Sequence, residues 1–410
     1  MKNIGPLRVM YFDHTAMLGG GEIALLNLIA SIDRELVRPI VVLSTEGPLA
    51  EALRPLAEVH ILELPEDLRR AKKDRLRIAT LLKFRQVFQI ARYINRLRQF
   101  IRKKEIDIVH TNSLKADIIG GLAGRLAFVP VIWHLRDRIE SDYLPGPVVK
   151  VFRFLARAIP TFIVTVSEAV LNTLKFESDR TAVIHDGTTL PPLFESPTDK
   201  KHLQVGLIGR ICPWKGQDVF LQAVAIVKSQ FPQARFQIVG SALFDEQEYE
   251  RGLRTLSSQL RVDDVVTFTG FRSDMAIVLE DLDIVVHAST LAEPFGQVII
   301  EGMAAAKPVI ATNGGGVAEI LVHGETGLMV PMKDTGAMAD AICELLADRT
   351  RRLEMGHKGR ERVRAKFTLQ RTALGVQAIY AKIQEYRRGS STSEMNPFRP
   401  FIRGKYEVSQ

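Results

Sequence analysis

The chain has 410 residues and a formal net charge of +8, enough length for two domains with full cores and an ordinary balance of apolar and charged residues. Only two cysteines occur, Cys212 and Cys343, far apart in sequence, which argues against a disulfide framework or a thiolate metal site and suits a reducing, cytoplasmic setting. No run of eighteen uncharged apolar residues is present, so no membrane span is expected. The first eleven residues run straight into a strand, without the pattern of a signal peptide.

Charge is unevenly spread. Residues 1–190 hold 28 Lys and Arg against 21 Asp and Glu, and the remainder holds 27 against 26. Residues 69–104 alone carry 14 basic side chains and one acid, Asp74.

In chain order, residues 8–13 (RVMYFD) read as a buried strand. Gly19, Gly20 and Gly21 read as a loop, and about 22–32 as a helix. Strand, glycine loop and helix suit an approach to phosphate, although GGG is not the GxGxxG fingerprint and a flexible turn is the plainer alternative. Residues 39–44 and 59–64 read as further strands. Between 78 and 101 apolar residues recur at helical spacing among arginines, which makes a basic amphipathic helix. Such a helix either faces a core with a solvated outer side or meets an anionic membrane surface. Nucleic acid is not expected, since no aromatic platform accompanies the charge.

Residues 106–110 (IDIVH) and 130–134 (PVIWH) read as strands, with a helix of small residues between them. His134 would end its strand on the crevice side of an open sheet, as either a structural or a functional histidine. A second basic amphipathic helix follows at 148–158, then strands at 161–166 and 182–184. Residues 190–202, with three prolines, have no periodicity and read as a linker.

The alternation then restarts. Strands are expected at 203–208, 235–239, 265–269, 283–288 and 308–311, with helices between them. Two further helices cover 337–347 and 350–366, and a last one covers 368–386. Residues 105–113 (EIDIVHTNS) echo 281–289 (DLDIVVHAS), so the chain reads as two related α/β halves. The echo also makes the D-x-D at 281–283 a strand start, and no metal site is expected. The tail from 390 onward reads as flexible.

The chemistry gathers at residues 293–301 (EPFGQVIIE), between a strand and an apolar helix. Here Glu293 and Glu301 can hold hydroxyls while a helix N-terminus can hold an anion. Arg210, Lys215, Gly209, Gly240, Phe271, Arg272 and the glycines at 314–316 fall at the same ends of neighbouring strands. Arginine offers a forked phosphate clamp and lysine a point charge.

GR…PWKG over 209–216, IVG over 238–240, FTGF over 268–271, HASTLAEPFGQVIIEGMA over 287–304, KPVIAT over 307–312 and GETGLMVP over 324–331 come in one order. Together they resemble the retaining family 4 glycosyltransferases of GT-B fold. The resemblance is specific over about 203–370, looser over 1–190 and absent over 390–410. It implies an α/β protein of two facing Rossmann-like α/β/α domains with a cleft between them. An acceptor-side domain would cover 1–190, a linker 191–202 and a nucleotide-sugar domain 203–370. A helix over 371–388 would pack back on the first domain, with a tail over 389–410.

The resemblance implies transfer of a sugar from a nucleotide-diphosphate sugar, UDP or GDP, without metal or other cofactor. The acceptor would be a lipid-linked or other cell-envelope glycan, met at the inner face of the membrane through the basic residues 69–104. By the same resemblance Arg210 and Lys215 would hold the diphosphate, Glu301 the ribose and Glu293 the transferred sugar. The backbone about Phe295, Gly296, Gln297 and Val298 would also hold the sugar. The base would lie near Phe271 and Arg272, and Gly20, Gly21 and His134 would approach from the first domain. Two departures, Gly302 for the usual alanine and Asp186 for a frequent asparagine, do not touch that chemistry. The alternatives are another GT-B activity, such as a nucleotide-sugar epimerase or phosphorylase, or a non-catalytic membrane-surface protein that keeps the fold.

Overall fold

A computed structural model describes residues 5–64, 84–176, 178–193, 201–242 and 246–389. The chain divides into two units, Met1–Asp186 with Leu369–Gln410, and Gly187–Thr368. The division falls a few residues from the boundaries expected at 190 and 370. Residues just after it belong to the second unit: the Thr188 amide donates to the Phe367 carbonyl at 2.9 Å, and Arg360 donates to the Pro191 carbonyl at 2.7 Å. The tail expected from 390 lies outside the described residues.

The first unit runs β1 (Leu7–Asp13), α1 (Gly20–Ser31), β2 (Val37–Leu43), α2 (Pro48–Leu53), β3 (Glu58–Ile61), α3 (Phe84–Lys103), β4 (Ile108–Thr111) and α4 (Leu114–Leu126). It continues with β5 (Val131–Leu135), α5 (Gly146–Ala158), β6 (Phe162–Thr165), α6 (Glu168–Thr173) and β7 (Thr181–Val183). Its sheet is parallel throughout, in the order β3-β2-β1-β4-β5-β6-β7. The strands are near-continuous apolar runs because helices cover both faces of such a sheet. Val9, Tyr11, Leu25, Ile29 and Val41 form part of the core, and Ala373, Val376, Tyr380 and Ile383 complete it from a helix at the end of the chain.

The second unit runs β8 (Gln204–Ile208), a 3-10 turn (Pro213–Lys215), α7 (Gln217–Gln230), β9 (Arg235–Val239), α8 (Gln247–Gln259), β10 (Val266–Gly270), α9 (Met275–Asp281) and β11 (Ile284–His287). It closes with α10 (Gln297–Ala304), β12 (Val309–Thr312), α11 (Val317–Ile320), β13 (Leu328–Val330), α12 (Thr335–Ala347) and α13 (Arg349–Lys366). The final helix, α14 (Leu369–Gly389), returns to the first unit. The second sheet is also parallel, in the order β10-β9-β8-β11-β12-β13, over a core that includes Leu207, Phe220, Phe236, Val286, Ile310 and Leu345. In each sheet the winding reverses once, between β1 and β4 and between β8 and β11. Ligands of open α/β sheets bind outside the carboxyl ends of the strands at such a reversal.

Two sequence expectations change. Gly20 and Gly21 form the first turn of α1, with Gly19 as its N-cap, rather than a loop. The glycines still expose backbone donors, because the first turn of a helix has no intrahelical acceptors for its N–H groups. Of the basic stretch 69–104, residues 69–83 lie outside the described residues. The rest is α3, whose Tyr93, Ile94, Leu97 and Ile101 are buried while Val87 and Phe88 face outward.

Candidate functional site

The second unit brings most of the expected residues to one edge of its sheet, about the reversal between β8 and β11. Gly209 and Gly240 end neighbouring strands with φ of +156° and +142°, and a Cβ on Gly240 would stand 2.0 Å from the Gly209 carbonyl. Only glycine fits there, so the two loops run backbone against backbone. Arg210 follows. Gln217 donates to its carbonyl at 2.9 Å and ties the loop to the start of α7. The 3-10 turn and the left-handed Gly216 (φ +69°) then carry Lys215 to the end of β11.

There Lys215 meets Glu293. Its Nζ lies 3.1 and 2.9 Å from the two carboxylate oxygens and 4.3 Å from the centre of the Trp214 ring. Glu293 Oε2 also lies 3.0 Å from Nε2 of His287 and accepts from the Ser289 hydroxyl at 2.8 Å. Burial alone would raise the Glu293 pKa, but Lys215 and His287 overcome it and hold the carboxyl below its ordinary range. The backbone beneath is fixed by Gly316, whose amide donates to the Glu293 carbonyl at 2.9 Å.

This arrangement sharpens the expectation for Glu293. Its carboxylate is engaged by three side chains, so it orients Lys215 as well as facing the site. His287 and Ser289 are contacts of Glu293 to which the motif reading gave no role. The signal was the echo between 105–113 and 281–289, which places a histidine in each half: His110 and His287 are both buried and hydrogen-bonded.

Glu301 lies one turn into α10. Burial pushes its pKa up to about 7, partly opposed by the Gln297 amide, which donates to it at 3.2 Å. Gly296 (φ +124°) opens α10, so the amides of Gln297 and Val298 stand at the positive end of its dipole. The Phe295 side chain is buried edge-on to Phe367, with ring centres 6.0 Å apart. Phe271 is exposed just past β10, the edge strand, and Arg272 is paired there with Asp274, Nε to Oδ1 at 2.7 Å.

In the first unit His134 departs from expectation. It is fully buried, because β5 continues to Leu135 and the side chain turns inward to His110, Nδ1 to Nε2 at 3.1 Å. Arg136 donates to Asn112 Oδ1 at 2.8 Å and pairs with Asp186. Asn112 in turn donates to Asp13 at 2.8 Å and to the Gly21 carbonyl at 3.1 Å, tying the first turn of α1 to β4. Glu22 accepts from the Gly19 amide at 3.1 Å, and burial together with the nearby Asp13 pushes its pKa up to about 8.

Among the described residues no group of three or more His, Cys, Asp or Glu side chains is arranged to hold a metal ion. Asp283 of the D-x-D accepts from the Gln204 amide at 2.8 Å at the start of β8. No described helix is long and apolar enough to cross a membrane.

Two parallel α/β units of this strand order, the second with a Lys–Glu pair at its reversal point, define a protein of GT-B fold. The family model for glycosyltransferase family 4 matches residues 18–190 and that for glycosyl transferases group 1 matches residues 193–362, and the chain belongs to this family of glycosyltransferases. A GDP-mannose-dependent alpha-(1-6)-phosphatidylinositol monomannoside mannosyltransferase of Mycobacterium tuberculosis is 33% identical over 194 residues, 45% of this chain and 47% of that one. A D-inositol 3-phosphate glycosyltransferase of Corynebacterium glutamicum is 25% identical over 321 residues, 71% of this chain and 76% of that one. The chain spans about half the length of the first curated relatives it matches. Among solved structures, HepE of Anabaena in complex with UDP-glucose superposes with a TM-score of 0.78 at 24% identity, covering 92% of this chain and all of that one.

Proposed function

We propose that the chain transfers a sugar from a nucleotide-diphosphate sugar to an acceptor with retention of anomeric configuration. The observation that carries this reading is the Lys215–Glu293 pair beside Arg210 at the β8/β11 reversal. As the glycosidic bond to the diphosphate breaks, positive charge grows on the sugar and negative charge on the leaving phosphate. Arg210, Lys215 and the N-terminus of α10 stabilise the leaving charge. Glu293 keeps Lys215 in place and offers its rim to the sugar, and Glu301 accepts from the ribose hydroxyls. The base lies by Phe271 and Arg272. The acceptor attacks from the face the diphosphate leaves, and a leaving phosphate oxygen takes its proton, so no side chain serves as general base. Lysine and arginine carry the charge that a metal would otherwise offset.

UDP and GDP are the donor bases this reading favours. The mycobacterial relative is GDP-mannose-dependent by name, and HepE, alike in fold, was solved with UDP-glucose. The test is turnover with UDP-, GDP- and ADP-sugars, after a thermal-shift screen to choose the donor. Lys215→Ala is expected to lower kcat by roughly 10²–10³-fold. Full activity in that variant and in Glu293→Ala would sink the site assignment. Release of a free epimer or a sugar phosphate from donor alone would favour the other GT-B activities.

The acceptor we propose is a lipid-linked or cell-envelope glycan at the cytoplasmic face of a membrane. Two helices support it. Val87 and Phe88 stand exposed on α3 with Arg92 and Arg96, and Val151 and Phe154 stand exposed on α5 with Lys150 and Arg157. Sedimentation with anionic liposomes is expected, and neutralising the arginines of 69–104 should weaken it. Binding that ignores those arginines rejects this part.

A further inference from the structure

Gln297 and Glu301 are four positions apart on α10, so their side chains lie on one face of the helix, one turn from each other. Nε2 of Gln297 donates to Oε1 of Glu301 at 3.2 Å and to the Gly187 carbonyl at 3.4 Å. Oε1 of Gln297 is buried without a hydrogen-bond partner. Gly187 is the first residue of the second unit, so the whole line lies within that unit.

The orientation of this amide has a chemical consequence. A side-chain amide can present either its oxygen or its nitrogen in a given direction. A backbone carbonyl can only accept, so Gly187 requires the nitrogen. Turned over, Gln297 would set its own oxygen against the Gly187 oxygen. The same choice fixes what Glu301 meets, which is an N–H. A carboxylate accepts from an N–H, whereas a protonated carboxyl needs an acceptor for its O–H, and the locked amide keeps its oxygen turned away. Gln297 therefore favours the charged form of Glu301 against the burial that opposes it.

We propose that Gln297 is a positioning residue for the donor: its side-chain amide, locked by the Gly187 carbonyl, holds Glu301 in the carboxylate form that ribose hydroxyls require. The inference rests on the transfer reading above, in which Glu301 accepts from the ribose. It gives the Gln297 side chain a part separate from that of its backbone amide at the start of α10.

The experiment is carboxyl 13C NMR on the full chain labelled at glutamate Cδ, with the Glu301 signal assigned by its loss in Glu301→Gln. In the unaltered protein that signal should titrate at about 7. Gln297→Leu removes the N–H and should move the midpoint up by about one pH unit, and Gln297→Lys puts a cation in its place and should move it down. UDP or GDP, whichever binds, should bind Gln297→Leu roughly fivefold more weakly at pH 7, as the ionised fraction falls, and nearly as tightly as the unaltered protein at pH 9. A merely structural role would weaken binding by one factor at every pH. That outcome, a Glu301 midpoint indifferent to Gln297→Leu, or midpoints that move the same way in both variants, overturns the proposal. Failure of the transfer reading looks different: no nucleotide or nucleotide sugar binds at any pH, while the Glu301 midpoint still follows the residue at 297.

Discussion

Glu293 and Glu301 stand eight positions apart and hold their protons in opposite ways. Lys215 and His287 keep Glu293 ionised despite its burial, while Glu301 accepts from the neutral Gln297 amide, and burial raises it to about 7. An unfolded glutamate titrates near ~4.3. The native state therefore keeps a proton on Glu301 that the unfolded chain has lost, and stability from this group falls as pH rises from about 4 to about 7. Glu301→Gln should remove that slope and raise stability at pH 8 by up to about 3 kcal/mol, read by urea unfolding at pH 5 and pH 8. A ribose diol needs the ionised form, so donor affinity should rise about tenfold between pH 6 and pH 8, with proton release seen by calorimetry in buffers of different ionisation enthalpy. Glu293 has the opposite sign. Its contribution is present above the unfolded pKa and is lost as pH falls below about 4. Glu293→Gln at pH 7 should cost about 3 kcal/mol by leaving Lys215 unpaired. The motif showed both acids and their spacing. It did not show that the Lys215 ammonium lies against one of them, because that contact spans 78 positions of sequence and depends on the turn at Gly216.

Element by element, the strands were the most legible part, since both faces of each sheet are buried and the apolar runs stand out. Helix starts were less so. Gly20 and Gly21 read as loop because glycine is a poor helix former, yet the chain begins α1 there, with Glu22 capping the Gly19 amide. The short α2 has no pattern long enough to be read. The loops that shape the site depend on glycines at positive φ. At Gly315 (φ +67°) a Cβ would stand 1.9 Å from the Glu293 carbonyl. Gly315→Ala should therefore displace the Glu293 loop, lowering the melting temperature and costing about 2–4 kcal/mol, with donor binding lost alongside. Gly20→Ala meets nothing within 4 Å and should leave stability nearly unchanged, so the two substitutions separate a steric glycine from a permissive one.

At the scale of the whole molecule, two separate apolar cores were legible from the restart of the alternation near residue 203. The membership of α14 was legible only through the resemblance, because nothing local to residues 369–389 says which core its apolar side supplies. The second unit begins and ends at neighbouring points, Thr188 bonded to Phe367. A fragment 187–368 should thus fold alone and melt as one cooperative transition in calorimetry. A fragment 5–186 should not fold, since it lacks Ala373, Val376, Tyr380 and Ile383. The same arrangement bears on how the chain is made. Domains generally fold as they leave the ribosome, at about 5–20 residues per second. Here the first unit to emerge must wait, incomplete along the groove that Val376 and Ile383 fill, until the whole second unit has been synthesised. A helix made after the second unit finishes a domain begun before it, and a nascent chain stalled anywhere before residue 369 still holds that apolar groove open.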